Sequence, residues 1–586
     1  MRATAAFQRC ERKRVLKRML NETKDNKRLL LYLLIGWMVL NFIQAAVTGL
    51  FNDEALFWMY GQHPAWGYYE NPPMAGIFIR AGYELFHSEF GVRLFFVILN
   101  TLSFYLVARL AAVKDPLLYA ALGFTTLIAQ LWGFMAAPDT ALLFFTILFF
   151  LVYKKLLGKD DILLAALWGM VMAAMIYCKY NGILVILFTI MSNYRLLKKR
   201  SFYIAAVSGL ICLIPHILWS FRNDHPTAYY HLFEINFGQF NFLKYFSEYI
   251  TVQIAIYGPL MAFVLFRAMI VFKPENTFDK SLKFTAIGML LFFMAFTFRG
   301  KVEPNWTIPA FVPLLIMGYR TCEGKIKLRK WIMAMAVISL VFMAGLRIYL
   351  VYDYLKLPRD LVNLSELYGW KKWANEVEKK SGGRTVLFLN SCMRASKYIF
   401  YTGKPAYDME DYTAQRTQYY YWSDAEKSLQ GREIMVIDFM PWRWLPGKKA
   451  FESDNHMITW YGYWPDFRSH YKLGLELKLK KLRFPANSTI TLPLTIINPY
   501  NETIRFNENK CMPTWLVCHI HYKDKFVARM MPSTDITNMV IPGAGKDTSI
   551  RFLTPSLPGN YYFCVSVSSG WLPPARNMNY QMMEIY

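Results

Sequence analysis

Before residue 352 the chain alternates long apolar runs with short charged connections, and no other feature constrains its fold as much. An apolar run of about twenty residues matches the hydrocarbon thickness of a bilayer. About eleven runs of roughly 15 to 23 residues qualify as spans. They lie near 29–49, 91–111, 117–136, 139–154, 161–178, 181–195, 202–220, 249–271, 283–298, 304–320 and 331–351. The pattern predicts a polytopic α-helical membrane protein with about 11 to 13 transmembrane helices. The basic stretch from Arg9 to Arg28 belongs to a tail over 1–28. The run behind it has no small-residue cleavage site, so a spanning helix is expected there and not a removable signal.

Composition agrees: 55% of the residues are hydrophobic and 17% aromatic, with the excess ahead of residue 352. The net charge of +25 does not point to nucleic acid. The basic residues sit between apolar runs, and no nucleic-acid-binding motif is present. Counting alternate loops puts the basic tail, Lys114, Lys154, Lys155, Lys159, Arg195, Lys198, Lys199, Arg200, Lys273, Lys280 and the segment Arg320 to Lys330 on one side. The positive-inside bias makes that side cytoplasmic and places the region after 352 outside the cytoplasm. The cytoplasmic loops are too short for a nucleotide-sugar domain and contain no glycine-rich phosphate loop, so chemistry is expected on the external face.

The transmembrane part is expected over 29–352, followed by two extracytoplasmic parts. Over 353–460, helical patterns (Leu367–Lys380, Ala395–Tyr401, Asp424–Leu429) alternate with strand-like runs (Thr385–Leu389, Glu433–Phe439), predicting a small α/β unit. Over 461–586, short alternating runs at Leu473–Leu479, Thr489–Ile497, Trp515–Tyr522, Thr548–Phe552 and Tyr561–Ser568 predict a β-sandwich. The eight cysteines form no metal pattern. Among Cys511, Cys518 and Cys564 a disulfide and small buried thiols are both open readings.

Asp53 and Glu54 follow the first span directly, and the loop continues through His63-Pro-Ala-Trp-Gly-Tyr-Tyr-Glu-Asn-Pro-Pro-Met74. Ionisable groups at such depth are costly and usually functional. The plain alternative is a solvated loop with an interfacial belt of Trp58, Trp66, Tyr68 and Tyr69. Asp-Glu-Ala-x-x-Trp followed by Gly-Tyr-x-x-x-Pro-Pro resembles the first external loop of GT-C fold glycosyltransferases. The similarity is to the bacterial branch of the dolichyl-phosphate-mannose–protein mannosyltransferase superfamily, which includes the lipid A aminoarabinose transferase. It continues in Ala137-Pro-Asp-Thr140, in Lys179-Tyr180, from Trp219 to His231, and in Lys301-Val-Glu-Pro-Asn-Trp306, covering roughly 28–352 without the β-sandwich.

The resemblance implies hexosyl or pentosyl transfer from a polyprenyl-phosphate-sugar donor to a lipid, protein or glycan acceptor, in a bacterial inner membrane. It maps the family's catalytic acid onto Asp53, with Glu54 beside it. A carboxylate can take the proton of an acceptor hydroxyl as the glycosidic bond forms. The departing phosphate needs charge stabilisation more than a proton. Lys179, Arg222, Arg299 and Lys301 could supply it, Lys301 first because Glu303 and Trp306 accompany it. Snorkelling helix ends are the plain reading of Lys179 and Arg299, and an N-cap that of Asp139. Substrate contacts are expected from Tyr68, Glu70, Asn71, Lys179, Tyr180, Arg222, His231, Lys301, Glu303 and Trp306, with Asp139 joining the catalytic acids. Asn71 stands where the aminoarabinose branch tends to carry a lysine. No cofactor is assigned with certainty, and a divalent metal ion held by Asp53 and Asp139 stays open. Two other readings remain: a polytopic ligase moving a whole lipid-linked glycan, and a lipid or sugar flippase with an external binding domain. No internal repeat supports the flippase.

Overall fold

The computed structural model describes residues 2–231, 241–355, 366–422, 424–441, 443–453, 457–479, 481–499, 503–506, 514–522, 525–529, 534–536, 539–541, 543, 545–570 and 572–586. The chain forms two compact units. The first comprises 1–229 and 240–368, so it runs past the boundary expected at 352. The second comprises 230–239 and 369–586.

The first unit is helical. Its helices are α1 (Arg2–Val47), α2 (Asn52–Gln62), α3 (Met74–Tyr83), α4 (Glu89–Ala111), α5 (Pro116–Gly123), α6 (Leu127–Trp132), α7 (Pro138–Gly158), α8 (Ile162–Cys178), α9 (Gly182–Ser192), α10 (Arg200–Arg222), α11 (Pro226–Tyr229), α12 (Phe242–Ile256), α13 (Met261–Val271), α14 (Thr277–Phe296), α15 (Phe311–Cys322) and α16 (Ile326–Tyr349). Every predicted apolar run falls on helix, but not always on one uninterrupted helix. Among the described residues five helices are long and apolar enough to span by themselves, within α1, α4, α7, α10 and α16. The run 117–136 is split into α5 and α6, where Thr126 caps α6 by accepting from Ala129 N. The run 249–271 is the pair α12 and α13, bent by 100°, and Gly258 takes a φ of +90° in the break, a conformation that strains other residues. Helix starts are set by side-chain caps: Asp115 before α5, Asp161 before α8 and Asn276 before α14. The region between the first two spans, read from sequence as a loop, contains α2 and α3.

Large side chains fill the bundle, Trp37 stacking on Phe124 at 4.5 Å and Phe149 on Trp168 at 5.2 Å. Outward faces of α1, α10 and α16 carry exposed Leu, Ile, Val and Phe, the surface a lipid solvent requires. At one end of the bundle, Arg320 pairs with Asp279 and Arg329 with Asp115. The opposite helix ends carry the acids of the first loop.

In the second unit, α17 (Trp370–Ser381) and α18 (Cys392–Thr402) pack with a five-stranded sheet. Its strands are β1 (Thr385–Leu389), β2 (Ala406–Met409), β3 (Ile434–Asp438), β4 (Lys449–Glu452) and β5 (Ile458–Trp464), in the order β2-β1-β3-β5-β4. The first three run parallel, and β5 is antiparallel to both β3 and β4. The remaining strands build layers that are antiparallel apart from Leu482–Phe484, which runs parallel to Gln581–Ile585. Thr489–Ile497 pairs with Lys546–Leu553 and with Gly474–Leu477, and Thr514–Tyr522 pairs with Gly559–Ser569. Leu492, Leu494, Ile520, Ile550, Phe563 and Val565 fill the space between them. Cys518 and Cys564 are free buried thiols on paired strands, so no disulfide joins them; Cys511 lies outside the described residues.

Candidate active site

The first loop is anchored before it is chemically active. Arg93, near the start of α4, is fully buried and donates through Nη1 to the carbonyls of Ala45 and Thr48 and through Nη2 to that of Gly49. Its Nε gives a 2.8 Å hydrogen bond to Glu54 Oε1, and Nη2 pairs with Oε2. Glu54 also accepts from Phe51 N at 2.9 Å and Ala136 N at 2.8 Å. Both oxygens are thus taken by donors that fix the end of α1, the start of α2 and the residues ahead of α7. These contacts make Glu54, expected among the catalytic acids, a strut between those segments. An arginine early in an otherwise apolar run was the signal that could have revealed its partner.

Asp53 is different. It lies on α2, outside the spans, and its side chain is exposed. Neighbouring protein nonetheless takes part of the water from its carboxyl. The loss of hydration there, and next the Glu366 carboxylate, push its pKa up to about 6; Lys179 opposes the rise, and Glu54 and Asp139 add to it. Glu366 Oε2 accepts from Asn52 N at 3.0 Å. Nothing in the local sequence announced this acid, far along the chain.

Asp139 occupies the first turn of α7 behind Pro138, where a carboxylate suits the helix dipole. It is not the cap; Ala137 holds that place. The residue is 1% exposed, and its carboxylate receives Lys179 Nζ at 2.9 and 3.1 Å and Asn305 Nδ2 at 2.9 Å. Lys179, expected as an interfacial anchor or a phosphate ligand, is therefore turned inward from the end of α8. Asn305 belongs to the Lys301–Trp306 motif, which thus meets the Ala137–Thr140 motif. Asn181 Nδ2 donates to the carbonyl of Trp306 at 3.3 Å, and the Trp306 ring packs against Phe293 and Phe296.

The aromatic half of the loop is tethered to α10. His216 shares hydrogen bonds with the Trp66 carbonyl at 2.7 Å and with Tyr180 Oη at 2.9 Å. Thr227 Oγ1 donates to the Tyr68 carbonyl at 2.8 Å. Gly67 passes so close to Trp219 that a Cβ would fall 2.3 Å from the indole. Tyr68 is buried, and its hydroxyl donates towards the carbonyls of Tyr60 and His63 and accepts from Ala65 N. Its hydroxyl, expected to contact substrate, is engaged by the backbone of its own loop.

Glu70 and Asn71 are half-buried in the turn before α3, and Arg222 is exposed at the end of α10. Lys301 pairs with Glu303 at 3.1 Å, both well exposed. Among the described residues no hydrogen bond or ion pair links Lys301 to Asp53, Asp139 or Lys179. His231 is described with the second unit. Among the described residues no three His, Cys, Asp or Glu side chains are grouped to hold a metal; Asp139 turns to Lys179 and Asn305, not to Asp53.

The family model for dolichyl-phosphate-mannose-protein mannosyltransferases matches residues 70–219, which carry Asp139, Lys179 and Tyr180. The chain is 23% identical over 298 residues to lipid A galacturonosyltransferase RgtD of Rhizobium johnstonii, an alignment covering 48% of this chain and 62% of that protein. The crystal structure of ArnT from Cupriavidus metallidurans in the apo state aligns with a TM-score of 0.55 at 14% identity, covering 74% of this chain and 98% of ArnT. ArnT bound to undecaprenyl phosphate aligns over the same shares with a TM-score of 0.53. The resemblance read from the loop motifs is borne out: the chain has the GT-C membrane fold with a strand-rich C-terminal part, and parts of it are similar in sequence to the mannosyltransferase family model and to a lipid A galacturonosyltransferase.

Proposed function

We propose that the protein is a membrane glycosyltransferase that moves a sugar from a polyprenyl-phosphate donor to an acceptor on the extracytoplasmic face, with Asp53 as general base. The observation that carries this is an exposed acid, Asp53, just past the end of the first span, with its pKa raised to about 6 and Lys179 close enough to oppose the rise. A base near neutrality is ionised at working pH and still accepts a proton effectively. One relative named as a lipid A galacturonosyltransferase, and a structural neighbour bound to undecaprenyl phosphate, support a lipid-phosphate donor and a lipid acceptor.

Acceptor deprotonation at Asp53 accompanies attack on the anomeric carbon, and the sugar–phosphate bond breaks with the electron pair leaving on the phosphate oxygen. Lys179 takes precedence over Lys301 as the cation facing that charge. Asp139 and Asn305 fix it, and it is the cation whose field reaches Asp53. A fixed charge costs no reorganisation during the reaction. Lys301, exposed and paired with Glu303, suits an outer contact with the donor. The test is turnover of an undecaprenyl-phosphate-linked pentose or hexose by the purified protein with a lipid A acceptor. Release of undecaprenyl phosphate with matching sugar on the acceptor supports the reading. Movement of intact donor across a vesicle without transfer would favour the flippase, and transfer of whole glycans the ligase.

A further inference from the structure

Ligands usually sit at the carboxyl edge of a parallel sheet, but in the second unit side chains fill that edge. Ser391 N donates to Asp408 Oδ1 at 2.7 Å, Asp411 N donates to Asn390 Oδ1 at 2.8 Å, and Arg443 bridges Asp411 and Asp438. The amino edge is open. There the turn from α17 into β1 runs beside the turn from α18 into β2. Residues of both turns and both helices line a cleft of about 450 Å³, within the range of small-molecule sites. Gly383 adds to the opening, since a Cβ there would meet nothing within 4 Å.

The lining is polar and mostly basic. Lys379, Arg384 and Lys404 are its cations and Glu378 is its acid. Lys379 lies in the last turn of α17, where it also complements the helix dipole. Arg384 and Lys404 stand outside both helices, so the dipoles do not account for them. Arg384 is committed: its Nε pairs with Glu433 at 2.9 Å, and its Nη1 donates to the Ser381 carbonyl at 3.2 Å. Lys404 meets Glu378 only at 3.8 Å, and their side chains are 59% and 36% exposed. Such a loose surface pair is worth little. Asn375 shares the exposed helix face of Lys379 and lines the cleft too. Two accessible ammonium groups therefore stand beside an amide and a carboxylate. A phosphate monoester carries close to two negative charges at neutral pH and matches the two lysines. Sugar hydroxyls both donate and accept, which suits the amide and the carboxylate.

We infer that this cleft binds a phosphorylated sugar, the anionic end of the lipid-linked glycan that accepts the transferred residue. Lys379 and Lys404 hold the phosphate, and Asn375 and Glu378 take the neighbouring hydroxyls. Its identity as the acceptor rests on the proposed transfer reaction; the binding of a sugar phosphate does not.

The test is isothermal titration of the full chain in detergent with a water-soluble glucosamine disaccharide phosphorylated at both ends. Saturable binding is expected, about tenfold tighter than that of the unphosphorylated disaccharide or of inorganic phosphate, and weakening as salt rises. Lys379→Gln combined with Lys404→Gln should weaken it about tenfold without moving the melting temperature. Should that variant prove unstable, Asn375→Asp, which sets a negative charge beside Lys379, should weaken binding as well. Lipid A in mixed micelles should displace the disaccharide. The absence of saturable binding, inorganic phosphate binding as tightly, or an affinity unchanged in the variants would overturn the site. Failure of lipid A to compete would overturn the assignment to the acceptor and leave a free sugar phosphate as the occupant. Asp53→Asn should bind the disaccharide like wild type. A wild type that transfers no sugar yet keeps this binding would sink the transfer reaction and the acceptor assignment, and leave the sugar-phosphate site standing.

Discussion

At the scale of single residues, Asp53, the proposed base, costs the fold stability at high pH. Its folded pKa of about 6 stands above the ordinary value of about 3.9. The folded state therefore favours the protonated form. The stability this contributes is complete below about pH 4 and is lost as pH rises through about 6. Asp53→Asn should accordingly melt higher than wild type at pH 8, with the difference shrinking on acidification, as differential scanning fluorimetry in detergent would record. For wild type, kcat/KM should rise with pH through an acid limb near 6. Glu366→Gln keeps an acceptor for Asn52 N but removes the like charge, and should move that limb to lower pH. A limb that stays in place would remove Glu366 from the account. Lys179→Ala should cost transfer about a hundredfold or more, and Lys301→Ala much less; steady-state assays at limiting donor separate the two. Asp53, Asp139 and Lys179 were legible in the sequence because charges beside apolar runs stand out. Glu366 was not, because no local pattern marks a residue that comes back from so far along the chain. Nor could sequence show that Tyr68 spends its hydroxyl on three backbone groups.

At the scale of elements, the placement of the proposed base depends on how α1, α2, α4 and α7 meet at one ion pair. Glu54 and Arg93 are both buried, at 1% and 0% side-chain exposure. Removing one partner of such a pair costs about 3 to 5 kcal/mol. Glu54→Gln should therefore lower thermal stability sharply, while any properly folded fraction retains a large share of its transfer rate. Stability equal to wild type would contradict the strut. Long helices were readable from apolar length alone. The breaks were harder: the 100° bend between α12 and α13 lies inside one hydrophobic stretch, and hydropathy does not register the backbone turn at Gly258. Helices α2 and α3 were missed for a related reason. Their sequence is rich in aromatics and turn residues, and α2 is buried along most of its length, so no amphipathic stripe announces it.

At the scale of the whole molecule, the basic loops and the acid-bearing helix ends divide between the two ends of the bundle, and we assign them to the cytoplasmic and extracytoplasmic sides by charge bias. In a cysteine-free background, an impermeant thiol reagent added outside should label a cysteine at position 540 and spare one at position 200. The reverse pattern would invert the assignment and move the chemistry to the wrong face. The strand-rich region was legible where strands alternate cleanly, as in Thr489–Ile497, and poorly where edge strands such as β2 and β4 are only four residues long. The central claim is proton removal by Asp53 during transfer from a lipid-phosphate sugar. Its most direct test is a single-turnover transfer assay of purified wild type and Asp53→Asn, with donor binding and melting temperature measured on the same preparations. The prediction is a loss of about a hundred- to ten-thousandfold in rate, with donor affinity largely kept and no loss of stability at pH 8. Near-normal transfer by a well-folded Asp53→Asn would contradict it.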